Sequence, residues 1–99
     1  MTLVGFSHTE NGDLCSDHPR VTNIFTEYEC KAAVGYAITS LSSDALFKDT
    51  VSRENEPKGC YIVGRYVYWN THSTGGPNIK AKSICKSGKR SRNIPKIIQ

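Results

Sequence analysis

Four cysteines, Cys15, Cys30, Cys60 and Cys85, constrain this 99-residue chain more than any other feature, because they are widely spaced and no C-x-x-C pair occurs among them. Structural zinc sites bring their ligands in close pairs, since a short turn presents two side chains to one tetrahedral ion. His8, His18 and His72 are scattered as well, so the spacing argues against a metal and for a disulfide framework. Such a framework implies an oxidising compartment, either extracellular and secreted or the surface of a virion. Cross-links also suit the size of the chain. A domain this short buries only about two thirds of the surface its unfolded form exposes, and 37% hydrophobic residues beside eight glycines and four prolines indicate a thin core with long loops.

Residues 1–6 have neither a basic leader nor an apolar run of signal-peptide length, and no stretch approaches the length of a membrane span. With paired cysteines, the expected origin is either a secreted precursor or a protein oxidised without secretion. The body is expected over residues 1–86, with a basic tail or arm at 87–99.

The strongest local signal is Thr26-Glu27-Tyr28-Glu29, a capping box at the start of a helix, preceded by Phe25 in the position of a hydrophobic staple to Cys30. From there Cys30, Ala33, Val34, Ala37, Ile38 and Leu41 recur at the spacing of one buried helical face. Ser42-Ser43-Asp44 ends it. Residues 44–47 are read as a short turn and 48–58, mostly charged and polar, as a surface loop. A hairpin follows, in which two β-branched and aromatic runs flank Gly64-Arg65, the composition of a two-residue turn with glycine first. That turn pairs Val63 with Tyr66, Ile62 with Val67, Tyr61 with Tyr68 and Cys60 with Trp69. Side chains alternate between faces, so Cys60, Ile62, Val67 and Trp69 are expected inside, and Tyr61, Val63, Tyr66 and Tyr68 outside. Residues 79–86 read as a further strand, and residues 3–6 as a short one. The fold class is therefore α+β, one helix on a small antiparallel sheet.

Of the three connectivities four cysteines allow, geometry favours one. Cys30 on the inner face of the helix needs a partner on the inner face of the sheet, where Cys60 stands, and Cys15 and Cys85 then tie the ends of the domain together. The segments Glu29-Cys30-Lys31-Ala32-Ala33, Gly59-Cys60-Tyr61, Trp69-Asn70 and Ile84-Cys85-Lys86, spread over residues 15–86, resemble a reduced four-cysteine PAN/apple-type module. They are also similar to small disulfide modules of secreted algal and protist proteins. The resemblance implies a module that binds proteins or carbohydrates.

For catalysis the chain offers no glycine-rich phosphate loop, no H-E-x-x-H and no G-x-S-x-G, its histidines are read as loop residues, and its cysteines have structural partners. An enzyme is not expected, nor a cofactor. The candidate surface is the outer hairpin face, where Tyr61, Tyr66 and Tyr68 with Arg65 would offer aromatic area and positive charge to a protein or glycan. Trp69 is assigned to the core. The net charge of +4 sits largely in the tail. No aromatic residue interleaves with Lys89, Arg90 and Arg92, which argues against nucleic acid. Ile94, Ile97 and Ile98 restore apolar character at the end, so this arm could instead dock on neighbouring subunits. The alternative expectation is accordingly a minor cementing protein of a virion or other large assembly.

Overall fold

A computed structural model describes residues 5–87, and the elements run β1 (Gly5–His8), a 3-10 helix (Cys15–Asp17), β2 (Val21–Asn23), α1 (Glu27–Ser40), β3 (Leu46–Val51), β4 (Gly59–Val63), β5 (Tyr66–Asn70) and β6 (Lys82–Ser87). The strands form one sheet in the order β1-β6-β4-β5-β3, with β2 also paired to β6. One helix on a six-stranded sheet with the bonds Cys15–Cys85 and Cys30–Cys60 is the α+β arrangement expected. All four cysteines are consumed in these bonds, so no thiolate is left to ligate a metal or attack a substrate.

The hairpin register is the one that the Gly64-Arg65 turn dictates, with Gly59↔Asn70 added at its open end. Gly64 takes φ 62°, the left-handed conformation a tight hairpin needs at its first turn position. The sheet departs from the antiparallel expectation at β3, which runs parallel to β5 with a register shift at Lys48. Residues read as a turn and a surface loop thus form an edge strand. An edge strand has one partner and one open side, so it requires no apolar alternation, and a lysine at a bulge discourages pairing with a further strand. Strand β2 was likewise illegible, because three residues carry no usable period.

Thr26 caps α1, its hydroxyl accepting the Glu29 amide at 3.1 Å. The reciprocal half of the capping box is replaced: the Glu29 carboxylate binds Lys86 of β6 at 3.1 Å, which ties the first helical turn to the sheet. Cys30, Ala33 and Ala37 are fully buried, and the two alanines let the helix approach Ile62, Val67 and Ile84 closely. Two expectations for this helix fail. Ile38 is 43% exposed, at the margin of the buried stripe, and Phe25 is 67% exposed, so no staple forms; its ring lies beneath the Lys86 ammonium instead. Trp69 is partly buried against the core.

The opposite face of the sheet carries a different layer. Residues 9–12 continue the edge beside β6 and residues 13–17 then cross it; Thr9 and Ser83 are buried, and the Ser83 amide donates to Thr9 Oγ1 at 3.0 Å. Ser83 pairs with Tyr61, and Cys85 shares its side of β6, whereas Ile84 points to the helix. Each disulfide therefore pins one layer to one face of the same sheet.

Candidate functional site

The outer face of β5 begins at the turn. Leu46 of β3 stands opposite Tyr66, and the Lys48 ammonium and Arg65 guanidinium each lie 5.1 Å from the Tyr66 ring centroid. Cations are held there by the negative ring face. Arg65 is oriented from two sides, by Asp44 at 3.3 Å and by the Tyr66 hydroxyl, to which its Nη2 donates at 3.4 Å. That hydrogen bond, and then the Arg65 charge, lower the pKa of the Tyr66 phenol. Lys48 makes no ion pair among the described residues. The geometry leaves a half-exposed tyrosine edge flanked by two cations, one anchored and one free.

Two residues along, the same face closes. The Tyr68 ring stacks on Tyr61 with centroids 5.2 Å apart, and Arg53 lies 5.5 Å from the Tyr68 centroid. Arg53 also pairs with Glu56, which accepts a hydrogen bond from the Tyr61 hydroxyl. Tyr61 is 0% exposed. The lid is built by Asn70, whose side-chain amide donates to the carbonyls of Arg53, Glu56 and Pro57 while its oxygen accepts the Arg53 and His72 amides. A buried side chain that saturates this many backbone groups fixes the loop at 52–58 over Tyr61.

Of the residues expected on this surface, Arg65, Tyr66 and Tyr68 come together there and Tyr61 does not. The expectation for Tyr61 fails because alternation decides which face a side chain takes and not what later covers that face. Lys48 and Arg53 were missed. Their proximity depends on β3 being a strand beside β5, which its polar sequence conceals. The histidines also part ways: His72 lies in a loop and accepts the Gly75 amide, but His8 sits in β1 with its Nδ1 2.6 Å from the Tyr36 hydroxyl. The arm residues Lys89, Arg90, Arg92, Ile94, Ile97 and Ile98 lie outside the described residues, and with them the cementing role expected of that arm.

Among the described residues, no group of three or more His, Cys, Asp or Glu side chains is placed to hold a metal ion, and no helix is long and apolar enough to cross a membrane. No family model, curated protein or solved structure matches the chain.

Proposed function

We propose that the chain is a non-catalytic extracellular recognition module of PAN/apple-like design, and that the surface around Arg65, Tyr66 and Tyr68 contacts a protein partner. The observation that carries this reading is the anchored Arg65 beside the half-exposed Tyr66, since arginine and tyrosine combine large contact area with directional polar groups. Two disulfides agree with an oxidising compartment. Protein is favoured over carbohydrate by the state of the rings. Tyr68 is stacked on Tyr61 and approached by Arg53, and two cations stand over Tyr66, so a sugar would have to displace a cation before it could stack.

The test compares wild-type protein with an Arg65→Glu/Tyr66→Ala double variant, both checked for intact disulfides, in affinity capture from an extracellular fraction and on a glycan array. A protein retained by the wild type and bound at least tenfold more weakly by the variant supports the proposal. Equal retention by both, or retention of glycans alone, rejects it.

A further inference from the structure

On the other face of the sheet, helix α1 ends at Ser40, and its C-cap Leu41 lies beside Ile62 and the Gly64 turn. The Leu41 and Ser42 amides both bond back to the Ala37 carbonyl, which closes the helix at this point. A cleft of about 300 Å³ lies there, lined by Asn11, Leu41, Ile62, Gly64, Lys80 and Lys82. Ile62, 3% exposed at the base, and Lys82 are cross-strand neighbours on the β4–β6 ladder, and the partly buried Leu41 supplies the apolar wall. The far wall is fixed as well, because the Gly12 amide donates to the Ala81 carbonyl at 3.0 Å and holds Asn11 near Lys80. At the lip, an added Cβ on Gly64 would meet nothing within 4 Å, so the turn leaves the entrance open.

The charge of this cleft is unbalanced. Neither Lys80 nor Lys82 forms an ion pair among the described residues, whereas Lys31 and Lys86 on the helix side are matched by Glu27 and Glu29. The end of α1 contributes roughly half a negative charge, far less than two ammonium groups. A neutral apolar ligand would leave that charge unused, and a small hydrophilic anion would leave Leu41 and Ile62 unused. A volume at the small end of ligand sites limits the occupant to a short chain.

We propose that this cleft binds a small amphipathic carboxylate, its head group between Lys80 and Lys82 and a short aliphatic body against Leu41 and Ile62. The site is independent of the Tyr66 surface, from which the sheet separates it.

Titration of the full chain with hexanoate, acetate and hexanol, followed by 1H–15N correlation spectra, tests the assignment. Hexanoate should give saturable shifts at the Ile62, Gly64 and Lys82 amides, with acetate and hexanol each at least tenfold weaker. A Lys80→Gln/Lys82→Gln variant should bind hexanoate at least tenfold more weakly than wild type, while Lys48→Gln, on the other face, should bind it unchanged. Hexanoate no better than acetate, hexanol as good as hexanoate, or undiminished binding in the lysine double variant would each overturn it. The comparison of the three probes on wild-type protein stands whatever the variants do.

Discussion

The two layers that cover this sheet are held by different physics. On one face α1 offers Cys30, Ala33 and Ala37 to an apolar surface, and its backbone hydrogen bonds are satisfied within the helix. On the other face the segment that enters through residues 9–12 at the sheet edge and crosses at 13–17 has only one short 3-10 turn, and its contact with β6 is polar: the Thr9 and Gly12 amides donate to the carbonyls of Ser83 and Ala81 at the edge, and Ser83 Oγ donates to the Asp13 carbonyl. A regular element with an apolar stripe can be docked by burial alone. An irregular segment must be fastened group by group, so it depends more heavily on its cross-link.

Removing the cross-links tests that contrast most severely. In the chain-entropy model the bonds with sequence separations of 70 and 30 contribute about 4.5 and about 3.5 kcal/mol. Cys15→Ala/Cys85→Ala should therefore lower unfolding free energy in urea more than Cys30→Ala/Cys60→Ala does. Hydrogen exchange should distinguish them further: the first variant loses protection across residues 9–17 beyond its global change, while the second keeps α1 protected up to its own global limit. Equal local loss in both layers would break the contrast.

Within the polar layer, Thr9→Val should cost about 2 kcal/mol, because the buried Ser83 amide would lose its acceptor. The substitution keeps shape and removes only the hydroxyl, so a change below a few tenths in the same urea experiment would show that the disulfide alone holds this layer. The helix layer has its own single-atom test. Thr26→Ala removes the hydroxyl that accepts the Glu29 amide and should cost about 1 kcal/mol, with the loss in circular-dichroism-monitored melting.

This difference between layers also explains what could be read beforehand. Helix α1 announced itself through its cap and its stripe, and the hairpin through Gly64 and two apolar runs, since in both cases the information lies within a few residues. The pairing of Cys30 with Cys60 followed from those two elements. Strand β3 was concealed because Lys48 and Asp49 occupy an edge, where burial imposes no pattern. The lid over Tyr61 was concealed because it depends on Asn70 reaching three carbonyls of a loop 13 to 17 residues earlier in the chain. Of the candidate surface, Arg65 and Tyr66 were legible through the turn; the positions of Lys48 and Arg53 required the tertiary fold.

The smallest effect lies where the helix layer meets the sheet edge. His8 of β1 faces Tyr36 of α1, with Phe6 also beside that ring, and its Nδ1 accepts from the Tyr36 hydroxyl when the imidazole is neutral. Partial burial, and then the nearby Lys82 charge, lower the His8 pKa, against a smaller opposing influence of Glu10. The neutral form is thus favoured in the folded protein. A lowered pKa means that the unfolded chain takes up the proton first, so this contribution to stability is complete above about pH 6.5 and is lost as pH falls through the lower folded value. Glu27, held down by the Thr50 hydroxyl and by Lys31, and Asp44, held down by the Ser42 hydroxyl and by Arg65, change charge at lower pH. Urea midpoints measured from pH 7.5 to 5.5 should therefore decline in wild type and decline less in His8→Gln, which retains an acceptor without titrating. Parallel declines in the two proteins would mean that the His8–Tyr36 contact does not couple protonation to the docking of α1 at this edge.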